Sequence, residues 1–440
     1  MPNLTDSQTS FLRGIFSAAP DAAVSSLEKA LSVEADNPGP MASVYGLLAH
    51  EATERRTRCQ VFGPLAALCR PSETRAVRFP SRTIAKLWNG LRAIHGAQTA
   101  LAEGVLSRKE NDPALFNELC AFAAAGLRSR EAAFAPAIEI LSATDPGAVD
   151  EFACYLDLVP ITRDALDKLP DWIGRLTEER SAAARLAYKD AGALSDEAGP
   201  RFFEILYANV PDPWLILRVL SAVMDRPSDA YVAASELARF GDYLLEDIDR
   251  RLEAFAEFNP DGGREKGLAA GETIHVAALI IAEFETSIEL NKEGPWGRRL
   301  IKQRQTMAGL AEARYNQIDK ALDAATPLLA VRFGKGVRGF PRIDADPEPR
   351  FLLRAEGLLG FFDHSRGYAS QCGFGAVRAK AGEKIEGRLD QYVEDLLDML
   401  RAREIENLDR IRAYLDVAAE LMEAVRGEKA ARIIRRRAAA

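Results

Sequence analysis

The chain has 440 residues, 48% of them hydrophobic and 28% charged, with a net charge of -8. Those values exclude a disordered chain and a broadly basic nucleic-acid coat, and they leave ample material for a folded core. A mean hydropathy of -0.14 fits a water-exposed protein, and the most apolar run, Val276–Ile281, is far too short to span a bilayer.

No basic stretch followed by an apolar one opens the sequence, so a cytoplasmic location without a membrane span is expected. The five Cys (Cys59, Cys69, Cys120, Cys154 and Cys372) are scattered and form no CxxC pair, which argues against zinc ribbons and points to reduced thiols. Of the 57 basic residues 13 are Lys, leaving 44 Arg. Anion recognition and a GC-rich genome both account for that excess.

In chain order, residues 1–110 read as an N-terminal helical region. Asp6 or Ser7 can cap a helix carrying Phe11, Leu12, Ile15 and Phe16, and Pro20-Asp21 restart the chain into a helix with Val24, Leu27 and Leu31 on one side. Asn37-Pro38-Gly39-Pro40 is a stop. Pro64, Pro71 and Pro80 then cut the chain into short pieces before Ser81 caps a helix through Ile84, Leu87, Leu91 and Ile94.

Residues 111–260 read as an irregular or solenoid-like helical array. Apolar segments alternate with turns such as Asp112-Pro113, Asp145-Pro146, Pro160, Pro170-Asp171, Gly199-Pro200 and Pro211-Asp212-Pro213, each predicting a cap with Pro in the first turn of the next helix. Asn259-Pro260-Asp261-Gly262-Gly263 is the strongest boundary signal.

Residues 264–427 then predict an antiparallel bundle of long helices. Leu268–Asn291 and Arg298–Ala325 each carry one apolar face, and Phe351–Phe362 starts a shorter helix. Gly334–Pro349 between them reads as a loop. Arg388–Arg426 contains neither Gly nor Pro. Its seam through Leu389, Val393, Leu397, Ile411, Leu415 and Met422, broken only by Glu404, predicts one rod of about 58 Å. Residues 428–440 read as a basic tail with a frayed helix end. The fold class is therefore all-α, with no β-sheet expected after Gly263.

Several residue groups are candidates for function. Between Arg55 and Arg92 nine basic residues face a single acid, Glu73, giving a local charge of +8. Arg55, Arg56, Arg58, Arg75, Arg78 and Arg82 are the candidate anion- or partner-binding residues, with Phe62, Phe79 and Trp88 interleaved. The competing reading is an intramolecular dock on later acids: Asp242, Glu246, Asp247, Asp249, Glu253 and Glu257. Glu272-Thr273-Ile274-His275 has the Glu-x-x-His spacing of di-iron bundles, but no second pair accompanies it and His50, His95 and His364 lack a preceding Glu, so no metal site is assigned. Gly334-Lys335-Gly336-Val337-Arg338-Gly339 matches GxGxxG by letter without the strand–helix setting of a dinucleotide site. Cys372 near His364 reads as a buried thiol rather than a nucleophile, and the four Trp read as packing anchors.

No catalytic residue and no cofactor is assigned. The expected function is a non-enzymatic helical scaffold or adaptor that binds other proteins, with self-association into a homodimer left open. A nucleic-acid-associated regulator using segment 55–92 and a helical enzyme with an unrecognised pocket are the alternatives.

Overall fold

A computed structural model describes residues 4–34, 40–70, 78–175, 177–224, 227–333, 336–402 and 408–439. The stop at Asn37, the candidate Arg75, the Gly334-Lys335 dipeptide and Glu404 lie outside them. The chain divides into two compact units, residues 1–225 and 226–440. The division does not fall at Asn259–Gly263, because the helix before that turn packs along the two helices after it. Twenty-one helices and one two-stranded ribbon make the described residues all-α.

The first unit holds α1 (Asp6–Ala18), α2 (Asp21–Leu31), α3 (Pro40–Val61), α4 (Gly63–Ala66), α5 (Thr83–Ile94), α6 (Gly96–Ser107) and α7 (Pro113–Arg128). It continues with α8 (Ala135–Thr144), α9 (Ala148–Asp157), α10 (Val159–Ile173), α11 (Glu178–Gly192), α12 (Ala198–Asn209) and α13 (Ile216–Val223). Phe16, Val24, Leu48 and Ala52 form a small core where α1 and α2 lie on α3. Asp112 caps α7 as its sequence predicts, accepting from the Leu115 amide at 3.1 Å. Pro170 is a correction: it starts no helix but lies inside α10. Leu169 and Trp172 are both buried on one face there and hold the last turn together.

The second unit holds α14 (Asp229–Val232), α15 (Ala238–Ala256), α16 (Gly263–Ser287), α17 (Pro295–Ala325), β1 (Leu328–Phe333), β2 (Gly336–Pro341), α18 (Pro349–His364), α19 (Gly375–Arg401), α20 (Leu408–Arg426) and α21 (Glu428–Ala439). The expected 58 Å rod is overturned. Arg426 reaches Glu386 at 2.9 Å and Asp390 at 3.0 Å, which one straight helix would hold about 60 Å and 54 Å away. The seam instead closes on itself, α19 against α20, with Tyr392 and Tyr414 in edge contact across an antiparallel pair.

Other long helices of this unit run parallel in pairs. Gly241 and Phe255 of α15 meet Trp296 and Arg314 of α17 in the same order. Asp319 and Asp323 of α17 likewise pair with Lys384 and Arg388 of α19. The unit is not a simple up-and-down bundle. The expected loop before Pro349 begins as an antiparallel β-hairpin, pairing Leu328 with Pro341 and Ala330 with Gly339, so a small sheet does lie after Gly263. Two strands are marginal by themselves. This ribbon is tied to α19, where Arg338 donates to buried Asp395 at 2.6 Å.

A close backbone contact joins α16 and α18, which also run parallel. A Cβ added at Gly267 would lie 2.0 Å from the Gly357 carbonyl oxygen, and one added at Gly360 would lie 2.7 Å from the Arg264 oxygen. Backbone touches backbone because neither helix carries a side chain at the crossing. Pro260–Ser287 is the one helix among the described residues long and apolar enough to cross a membrane, and 56% of its apolar window is buried inside the protein, as a core helix requires.

The arginine excess has a structural correlate. Helix C-termini leave carbonyls unsatisfied, and arginines from elsewhere donate to them. Arg163 reaches Gln60 and Val61 at the end of α3, and Arg218 reaches Ile173 at the end of α10. Arg314 reaches Ala256 of α15, Arg378 reaches Phe362 of α18 and Arg366 reaches Val425 of α20. A guanidinium, with five donors and a cation for the negative helix end, does this better than an ammonium.

Candidate functional site

The basic segment is largely spent inside its own unit. Arg55 is 6% exposed. Its guanidinium donates to the Phe16 and Ala19 carbonyls at 2.7 and 2.9 Å, to Asp21 at 2.6 Å and to Glu51 at 2.8 Å. Burial works against the cation, but the two carboxylates outweigh it and raise the Arg55 pKa. Arg55 thus closes the C-terminus of α1. Arg56 makes a fork with Glu28 at 2.6 and 3.0 Å, and Arg58 lies 3.9 Å from Asp21. Arg78 pairs with Glu151, and Arg92 with Glu54 at 2.6 Å. Arg82 is exposed and makes no ion pair among the described residues.

Three of the acids proposed as docking partners are engaged within the second unit. Asp242 accepts from the Trp296 indole, Asp247 from Arg250 and Arg251, and Asp249 from Arg299 and Gln303.

Other sequence candidates resolve into packing. Arg338 of the GxGxxG match is held by Asp395 and covers the Phe340 ring at 4.9 Å. Burial pushes the Cys372 thiol up to about 11, which keeps it protonated at neutral pH. Trp88, Trp172 and Trp296 are buried, and Trp214 is half-buried.

The tail is not frayed: it forms α21. Gly427, at φ +83°, turns the chain back so that Ala431 and Ile434 are buried, and Arg437 grips Glu394 at 2.5 and 2.7 Å. Arg437 holds the Glu394 carboxyl below its ordinary value of 4.5. A depressed folded pKa contributes stability above the unfolded value and loses it as pH falls through the folded one. Protection of the α21 amides, the exchange rate divided into that of an unstructured chain at the same pH, is therefore expected to fall as pH drops below about 4.5, and Glu394→Gln should remove most of that dependence; protection that stays constant with pH in the parent chain would contradict it.

One constellation was not assembled by sequence reasoning. The glycine crossing of α16 and α18 delivers His364, at the end of α18, against Glu272 and His275 of α16. Glu272 Oε2 lies 3.1 Å from His364 Nε2 and 3.5 Å from His275 Nδ1, and one ligand atom from each residue falls within 4.8 Å of the others. The Tyr368 ring stacks on His275, with centroids 5.1 Å apart and planes 9° apart. Burial pushes the Tyr368 hydroxyl well above its ordinary pKa, so it stays protonated and donates to the Gly271 carbonyl at 2.8 Å. His364 itself is wedged: a Cβ added at Gly271 would meet its Cβ and Cγ at 2.6 Å.

The Glu-x-x-His spacing was visible in the sequence. The third member, His364, has no Glu three residues before it, so that spacing does not mark it. The available signal was the glycine spacing, Gly267 and Gly271 on one helix and Gly357 and Gly360 on the other, which marks two helices built to approach closely. Chemically, two imidazoles and a carboxylate on one face can hold a divalent cation or share a proton. The chain matches no protein-family model, no curated protein and no solved structure.

Proposed function

We propose that the chain is a helical scaffold or adaptor that docks another protein on the outer face of α1. The observation that carries this reading is the exposure of Phe11 and Ile15, 69% and 46%, one helical turn apart. Leu12 and Phe16, on the neighbouring face, pack into the core with α2 and α3. The helix therefore has two apolar faces, and only one is covered. A turn-spaced pair of large apolar side chains is the anchor pattern of helix-in-groove recognition. The basic segment supports the nucleic-acid alternative less well, since five of its arginines already face carboxylates.

The test places a photo-crosslinking amino acid at position 11 of the full chain in its native cells. One cross-linked protein species is expected. Phe11→Ser with Ile15→Ser should reduce a cross-linker at position 8 at least tenfold, while unfolding stability changes by no more than about 0.5 kcal/mol, as for exposed sites. A cross-link to a second copy would make the face a homodimer surface. Absence of any adduct overturns the proposal.

A further inference from the structure

We infer that Glu272, His275 and His364 form a binding site for a first-row divalent cation of the zinc class, with its remaining coordination positions open to solvent. Zinc sits about 2.0–2.2 Å from nitrogen and carboxylate ligands, so two ligands on one ion stand roughly 3.0–3.5 Å apart, from octahedral to tetrahedral angles. The separations of 3.1 and 3.5 Å from Glu272 Oε2 fall in that window.

The donor set selects the class of metal. Two imidazoles with one carboxylate suit zinc, cobalt, nickel or ferrous iron, whereas magnesium and calcium take oxygen ligands. The rings are also held in place before any ion arrives. Tyr368 backs His275, and its own hydroxyl is anchored on Gly271. Gly271 lets the His364 ring lie against α16. His364 Nδ1 is buried with no partner among the described residues, so Nε2 is the nitrogen that reaches the cluster. The side chains of Glu272, His275 and His364 are 58%, 38% and 23% exposed, which leaves an approach from solvent.

The competing arrangement is a carboxylate shared by two imidazoles with no ion, and the two differ in metal titration. The full chain, stripped by chelator, is titrated with cobalt(II). One equivalent is expected to bind with visible d–d absorption and to be displaced by zinc. Glu272→Gln and His275→Gln should each weaken binding at least about tenfold. Both positions are exposed enough to retain the fold, which circular dichroism checks. Zinc should raise the melting temperature of the parent chain and not of the two variants, and magnesium should leave all three unchanged. Binding that survives in both variants places the metal outside this cluster and overturns the inference, as does a chain that takes up no cobalt. Neither result bears on the Phe11 face, which belongs to the other unit.

Discussion

Gly267→Ala is expected to destabilise the second unit by about 3 kcal/mol, although alanine is the better helix former. The new methyl would fall 2.0 Å from the Gly357 carbonyl oxygen, 2.9 Å from its carbon and 3.0 Å from the Phe361 amide nitrogen. All three are backbone atoms, so no side-chain rotation relieves the clash and α16 must move away from α18. Gly309 supplies the control. It is exposed on the outer side of α17, with nothing within 4 Å of an added Cβ. There the same substitution should stabilise by about 0.5–1 kcal/mol, because only chain entropy changes. Denaturant unfolding of the two variants gives the sign. Equal effects would mean that α16 and α18 are not in backbone contact. Because His364 rides on the same crossing, Gly267→Ala should also weaken cobalt binding without touching a ligand.

Asp229→Ala should cost about 3 kcal/mol and release the N-terminus of α17. The Asp229 carboxylate is fully buried and accepts from the Trp296 and Gly297 amides at 3.1 and 3.0 Å. Those are two of the amides that the start of a helix leaves without partners. The residue in the capping position, Gly294, has no side chain to offer, and a Cβ there would collide with Asp229. The cap therefore comes from α14, more than sixty residues earlier. The Asp229 amide is itself held by the Glu289 carbonyl at 3.0 Å. Removing the carboxylate leaves two buried N–H groups unsatisfied, each costing about 1–3 kcal/mol. Asp229→Asn keeps one acceptor oxygen, leaves the other N–H facing an amide donor and loses the charge at the positive helix end, so it should cost at least about half as much. Denaturant midpoints for the three proteins measure this series. An alanine variant as stable as the parent would show that the cap is replaced by water.

The basic segment shows how composition misleads when partners are unknown. Counting charges over Arg55–Arg92 gives a strong positive run, yet Arg55 is buried among carbonyls and acids from α1, α2 and α3. The neutralising acids Asp21, Glu28, Glu51, Glu54 and Glu151 all lie outside the counted window. A sequence window cannot see them, because an ion pair depends on distance in space. The same limit hid the metal-type cluster, whose two halves are separated by the whole of α17, the β-hairpin and nearly all of α18.

Helical period and capping chemistry are local, and the sequence by itself determined them. Pro and Asp at Asp112-Pro113 start a helix, apolar residues three and four apart mark the buried seam of α19 and α20, and the chain is all-α. What it left open is which seam meets which. One period of 3.6 residues describes equally a rod that pairs with a partner and two helices folded on each other. Only the tertiary structure decided that Arg426 returns to Glu386, that Gly267 touches Gly357, and that His364 completes a set with Glu272 and His275. These contacts arise from the packing of surfaces far apart in the chain, where shape and close approach select the partner and local propensity has no influence.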